Sequence, residues 1–284
     1  MTSGYQLNED SDNEQHLATT TTVVAETTVT AATSTANIQV AGVASGSGND
    51  VPEHIRKFVF TNQKGNADEG EASDEPIETI EIQIPEILQS GYSFYTWPCA
   101  PVLAWFLWER RKNLASKHIL ELGAGTALPG ILAAKCGARV ILSDSCILPK
   151  SLAHIRKSCL TNNLVPGKDI EVIGVSWGLL LNSVFNIGPL DLIIGADCFY
   201  DPSVFEDILV TVSFLLERNP QAKFVCTYQE RSADWSIEAL LKKWKLRAVP
   251  INTDEVGKSS GIDLSEFMGG HTIHLIEITK EPKN

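Results

Sequence analysis

Residues 119–130 read ILELGAGTALPG, and the fold follows from how this stretch is parsed. A short apolar run carrying Glu121 meets Gly123 and Gly125, then a second apolar run opened by Pro129 and Gly130: the order of a strand, a tight turn and a helix. Gly123 and Gly125 remove side chains where the backbone must turn and approach a ligand, and Gly130 lets the helix lie close to the sheet. The dinucleotide fingerprint G-x-G-x-x-G asks for a third glycine where Leu128 stands, so this loop argues against a pyrophosphate. An ordinary glycine-rich strand-to-helix turn fits the same residues.

A second acidic residue strengthens the nucleotide reading. The run RVILSD, residues 139–144, ends in Asp144, about 20 residues beyond Gly123, where a carboxylate can accept both hydroxyl hydrogens of a ribose. A helix-capping Asp is the alternative.

Outward from this centre, segments with strand and helix character alternate as in an α/β sheet. Strands are expected near 119–122, 139–143, 170–175, 191–196, 222–228, 245–250 and 272–279. Helices are expected over Ala100–Lys112, Pro129–Cys136, Leu148–Asn162, Ser203–Arg218 and Ser232–Lys243. The last two strands lack a convincing helix between them and should form an antiparallel edge. Upstream, Phe58–Thr61 and Glu78–Ile84 read as a small β-hairpin separated by an acidic, Gly-containing loop.

Residues 1–50 contain no Lys or Arg, six acidic residues and a single aromatic, Tyr5. Such a segment cannot bury enough apolar area to offset its ordering entropy, and it is expected to be a disordered tail. The organisation is therefore a tail (1–50), a hairpin extension (51–90) and one enzyme-sized domain (91–284). No signal or transit peptide is expected, and no apolar run reaches the roughly 18 residues of a membrane span. The net charge of −12 arises in the first 90 residues, with 15 acidic and 3 basic, whereas residues 91–284 carry 20 of each. The domain itself is thus neutral, and it lacks the Lys/Arg cluster with interleaved aromatics expected of a nucleic-acid binder. The acidic tail could attract a basic protein, or simply be solvated.

Six cysteines, at 99, 136, 146, 159, 198 and 226, include no CxxC pair. They are expected to be reduced thiols packed as small hydrophobes in a cytoplasmic or nuclear protein, with no metal site. His271 and His274 in HTIH fall on opposite faces of a strand and read as structural.

The run DLIIGADCFYD places Asp197 and Tyr200 at the carboxyl end of the fourth core strand, where open α/β sheets hold their chemistry. Glu121 with Gly123 and Gly125 resembles the first motif, E-x-G-x-G, of S-adenosylmethionine-dependent methyltransferases. Asp197 to Tyr200, DCFY, is similar to the D/E-x-x-Y motif of the seven-β-strand members that modify protein side chains. Tyr95-Thr96-Trp97-Pro98 and Ser176-Trp177-Gly178 fall where relatives carry aromatic contacts to the cofactor. The match covers about residues 91–284. It implies a Rossmann-like seven-stranded methyltransferase sheet with helices on both faces and S-adenosyl-L-methionine as cofactor. It also implies that Glu121 and the Gly123-Ala124-Gly125 loop hold the methionine end, that Asp144 binds the ribose, and that Trp97 and Trp177 flank the adenosyl part. Asp197 and Tyr200 then lie beside the methyl group. By frequency alone each Trp is a core aromatic, and Tyr200 could pack against the following helix.

A protein side-chain nitrogen is the implied acceptor. Lysine must lose its proton, which a dry aromatic pocket promotes. Arginine stays charged and needs carboxylates to orient it. Glu230, in TYQERS just beyond the fifth core strand, is expected to join Asp197 in clamping one guanidinium. The acceptor is then an arginine of a histone or other basic protein, or a lysine of another protein such as a chaperone. A small-molecule or nucleic-acid acceptor is less favoured, because the N/D-P-P-Y pattern is replaced by DCFY. The last alternative is a non-catalytic interaction module.

Overall fold

A computed structural model describes residues 53–63, 76–88 and 91–281. The expected disordered tail, 1–50, and most of the acidic loop of the hairpin lie outside the described residues. In chain order the elements are β1 (His54–Thr61), β2 (Thr79–Glu86), α1 (Cys99–Glu109), β3 (His118–Leu122), α2 (Leu128–Lys135), β4 (Arg139–Asp144), α3 (Pro149–Thr161), β5 (Glu171–Gly174), α4 (Asn182–Phe185), β6 (Leu192–Ala196), α5 (Pro202–Arg218), β7 (Lys223–Gln229), α6 (Glu238–Lys243), β8 (Leu246–Ile251), α7 (Ser265–Met268) and β9 (Ile273–Lys280). Each core strand lies within one or two residues of its expected position.

The seven core strands order as β5-β4-β3-β6-β7-β9-β8. The first five run parallel, and β9 is antiparallel to both β7 and β8. The chain winds outward from β3 through β4 to β5, then returns to the other side of β3 with β6. That reversal puts a crevice between the carboxyl ends of β3 and β6, the place where open α/β sheets bind ligands.

Strand alternation sends side chains to two cores. Ile119, Val140, Leu142, Ile194 and Val225 pack with α1, α2 and α3. Leu120, Leu122, Ile193, Phe224 and Cys226 pack with α4, α5 and α6. In α1, CAPVLAWFLWE, every residue from Cys99 to Trp108 is buried, as expected of a helix apolar on all sides. Its outer side is covered by the β1–β2 hairpin, whose Phe58, Phe60, Ile82 and Ile84 join the same core. Phe60 packs on Trp105 at 4.9 Å, and the Trp108 indole N–H donates to the Thr61 carbonyl at 3.3 Å. Asn162, at the end of α3, accepts from Gln83 N–H at 2.9 Å and donates to its carbonyl at 2.7 Å. The hairpin is therefore built into the enzyme-sized domain. Burying one such Phe contributes roughly 1.5–3 kcal/mol.

Two helices differ from expectation. α1 ends at Glu109, followed by a helical turn at Arg111–Asn113. α6 starts at Glu238, six residues later than expected. Ser232 and Ser236 hydroxyls accept from the N–H groups of Asp234 and Glu238, each at 3.3 Å. Serines that bond locally in this way favour turns over helix. α5 starts where expected: Pro202 opens it and the Asp201 carboxylate accepts from Ser203 N–H at 2.9 Å.

Candidate active site

The loop after β3 is left-handed at Gly123 (φ +65°) and Gly125 (φ +52°). It is tied to β4 by Ala124 N–H donating to the Ser143 carbonyl at 2.8 Å and Gly125 N–H donating to Asp144 Oδ2 at 3.0 Å. Asp144 Oδ1 accepts from Ser145 N–H at 2.7 Å. Burial pushes the Asp144 carboxyl up, while these two amide bonds pull it back. Asp144 thus braces the glycine loop from the end of β4 and caps no helix, since α3 opens at Pro149 without a side-chain cap.

Two aromatic segments bracket the loop. A Cβ at Gly123 would lie 2.7 Å from the Trp177 indole, so only glycine lets that ring approach. On the other side the Ser93 carbonyl passes 3.8 Å from where a Gly125 Cβ would be, and Thr96 and Thr126 hydroxyls meet at 3.0 Å. Trp97 is held there by its N–H on the Tyr92 carbonyl at 3.0 Å and by the rings of Tyr92 and Tyr95. A side-chain-free loop, a carboxylate at the end of β4 and two flanking indoles suit an adenosyl group with an amino-acid tail.

Glu121 has a different neighbour from the expected one. Its side chain points to the α1–α2 face with no exposed surface, and Gly130 N–H donates to Oε2 at 3.0 Å. A Cβ at Gly130 would collide with Glu121 and Leu142, so the third glycine is what lets this carboxyl lie under the helix. Burial pushes Glu121 up to about 8. In this position Glu121 supports the loop and the start of α2 from below. Oε1 is buried without a partner.

At the end of β6, Asp197 adopts a left-handed backbone (φ +57°), uncommon for a residue other than glycine and often found at functional sites. The Arg231 guanidinium meets it fork-on, Nη1 to Oδ1 at 2.9 Å and Nη2 to Oδ2 at 2.6 Å, and Gln229 N–H adds a bond to Oδ1 at 3.3 Å. Beneath it the Cys99 thiol is pushed up well above its usual range, first by burial and then by the Asp197 charge. Tyr200 is 46% exposed and its ring lies 6.2 Å from that of Trp177. Partial burial raises its phenol, and the carboxylates of Asp201, Asp144 and Asp197 act in the same direction. Tyr200, Trp177, Asp144 and Asp197 therefore converge on the crevice above β3 and β6.

The sequence profile of a family described as lysine methyltransferase matches residues 77–240. This chain belongs to that methyltransferase family. It is 51% identical over 215 residues to the histone-arginine methyltransferase METTL23 of Xenopus laevis, covering 75% of this chain and 89% of that protein. It is 48% identical to the human protein of the same name, covering 65% of this chain and 96% of that one. The protein-lysine methyltransferase METTL21E of Mus musculus is 36% identical over 140 residues, covering 48% of this chain and 56% of that protein. As in the rest of the family, methyl transfer by this methyltransferase uses S-adenosylmethionine.

The methyltransferase does not assemble the expected clamp of Asp197 and Glu230. Thr227 of β7 donates to the Cys99 carbonyl of α1 at 3.0 Å, whereas Tyr228 turns to the other face and packs edge-on against Phe199. Arg231 therefore reaches Asp197, while Glu230 bonds His274 Nε2 at 2.9 Å. His274 stacks on Tyr228 at 4.9 Å, and His271 contacts Gln229 Nε2 at 3.1 Å. Only His274 lies in β9, since His271 precedes the strand, so the expected pairing of faces on one strand does not apply. No cluster able to hold a metal is present among the described residues. Arg231 and His274 are the site residues that sequence reasoning missed. The alternation within TYQERS carried the signal for Arg231, since Asp197 and Glu230 can share a guanidinium only if residue 230 faces the same way as residue 229.

Proposed function

We propose that this enzyme methylates arginine side chains of histones. The observation that carries this reading is the seat at Asp197, where a carboxylate beside Tyr200 and Trp177 already receives a guanidinium through two parallel bonds. Such fork-on pairing suits arginine and not the single ammonium of lysine. The 46–51% identity to relatives named histone-arginine methyltransferases points the same way.

When bound, the cofactor would supply a sulfonium methyl to the acceptor nitrogen, which gives up a proton to solvent as S-adenosylhomocysteine leaves. Trp97 and Trp177 would flank its adenosyl part, Asp144 would accept from its ribose, and Gly123, Ala124 and Gly125 would carry its methionine end, with Glu121 holding the loop from below. Asp197 lies on the methyl side. The protein's contribution is alignment and exclusion of water, which lowers such a barrier by several kcal/mol. A carboxylate has about four lone-pair sites, and Arg231 and Gln229 take three of those on Asp197. The acceptor guanidinium therefore approaches the remaining site on Asp197, beside Arg231, with Tyr200 next to it. Glu230, engaged with His274, stands outside this step.

A lysine acceptor in another protein, such as a chaperone, is the second reading, favoured by the family's description and by the 36% identity to a protein-lysine methyltransferase. A histone substrate would be met in the nucleus, and a chaperone substrate in the cytoplasm. Incubating core histones with enzyme and methyl-labelled cofactor, then hydrolysing the protein to amino acids, separates the readings. Label in methylarginine supports the first, and label in methyllysine alone overturns it.

A further inference from the structure

On the α5 side of the sheet, a cleft of about 280 Å³ opens beside the end of β7. It is lined by Phe205, Tyr228, Glu230, Trp235, Glu238 and His274, and the reaction described above uses none of them. The delayed start of α6 creates it, because residues 232–237 run as turns and leave Trp235 standing beside α5. Trp235 packs edge-on against Phe205 at 5.8 Å, and Tyr228 is stacked by His274, so the rings are held in place. The Glu238 carboxylate is in no ion pair among the described residues. The cleft's arginine, Arg231, spends its guanidinium on Asp197.

We infer that this cleft is a subsite for a basic side chain, lysine or arginine, that flanks the methyl acceptor in the protein substrate. The inference rests on the reading that the acceptor is carried by a polypeptide. An apolar stem packs on the rings of Tyr228 and Trp235, and the cationic head meets their faces and the carboxylates of Glu238 and Glu230. One side chain, Arg231, both lines the cleft and reaches Asp197. One Arg side chain reaches roughly 7 Å, so at about 3.4 Å per residue an extended peptide covers the gap in roughly two or more residues. The enzyme thereby selects acceptors with a basic neighbour at that distance, on top of whatever its methyl-transfer seat demands.

The test is a binding measurement on the full chain with S-adenosylhomocysteine present. Short neutral peptides centred on one arginine carry a lysine two, three or four residues away on either side, each paired with a peptide bearing norleucine at that position. At least one lysine peptide should bind about fivefold tighter than its norleucine partner, the scale of one partly exposed cation–π contact. Glu238→Gln should remove most of that advantage and leave norleucine-peptide affinity unchanged, whereas Trp235→Ala should weaken both peptides of the pair, whose stems pack on it, and narrow the gap between them. Trp235 and Glu238 are exposed, and unchanged affinity for S-adenosylhomocysteine verifies that both variants keep the fold. Equal affinity within every pair, or an advantage that survives both variants, overturns the subsite. A failure of the protein-methyltransferase reading shows up separately, as no methyl transfer to any peptide or protein by the wild type.

Discussion

Arg231 grips Asp197 with both terminal guanidinium nitrogens, at 2.9 and 2.6 Å, and Asp197 is almost fully buried while Arg231 keeps about a quarter of its side chain exposed. The pair takes up part of the seat proposed for the acceptor, so Arg231 competes with the acceptor while supporting the fold. Arg231→Met leaves the Asp197 charge without its partner and should lower stability by about 2 kcal/mol, at the low end for a broken buried pair because Arg231 is partly wet. The same change vacates the seat, so KM for the arginine substrate should fall several-fold with kcat held. Denaturant unfolding and steady-state kinetics on core histones check the two together; a raised KM would mean that Arg231 only positions Asp197.

Gly123→Ala forces a left-handed residue and a methyl group 2.7 Å from the Trp177 indole. The ring must move away from the loop it flanks. Cofactor affinity, measured by calorimetry with S-adenosylhomocysteine, should drop by at least about tenfold, the equivalent of about 1.4 kcal/mol. Unchanged affinity would place the adenosyl group elsewhere.

Much of this architecture is legible in the sequence. The strand alternation, the glycine loop and Asp144 give the parallel half of the sheet, and the lack of a long helix between the last two strands, where only the four-residue α7 stands, gives its antiparallel edge. Side-chain direction at strand ends was harder to read. The E-x-G-x-G resemblance assigns Glu121 to the methionine end, whereas strand parity turns it under α2, and only Gly130 leaves room for it there. Glu230 looked close to Asp197 because β6 and β7 are neighbours, yet one residue of register sends it to the opposite face and brings Arg231 in instead. The helix expected from Ser232 failed because two serines satisfy their neighbours' amides locally.

Glu121 should give stability a distinctive pH dependence. Burial raises its pKa from 4.5 to about 8, so between these values the folded state holds a proton that the unfolded state has released. Its favourable contribution is complete below about 4.5, declines as pH rises, and is gone above about 8. Wild-type stability should therefore fall by on the order of 1 kcal/mol between pH 7 and 9 from this group. Glu121→Gln cannot ionise, and its unfolding curves should lack that part of the decline; equal slopes for the two proteins would contradict it.

The hairpin's contribution to stability can be probed at Trp108, fully buried, its ring 6.2 Å from Phe60 and its N–H on the Thr61 carbonyl. Trp108→Ala removes the packing and a hydrogen bond together, and should cost about 3–5 kcal/mol. Chemical denaturation reads this directly. A cost under about 1 kcal/mol would mean that the hairpin is peripheral.

The central claim is that methyl transfer to arginine runs through the carboxylate of Asp197. The most direct measurement is mass spectrometry of core histones incubated with methyl-labelled cofactor and either wild-type enzyme or Asp197→Asn, with cofactor affinity of both proteins measured alongside. The account predicts labelled arginine with the wild type, and a loss of at least about a hundredfold in the variant with cofactor affinity retained within a few-fold, in keeping with the removal of one charged positioning group. Wild-type rates of arginine methylation by Asp197→Asn, or label confined to lysine, would contradict it.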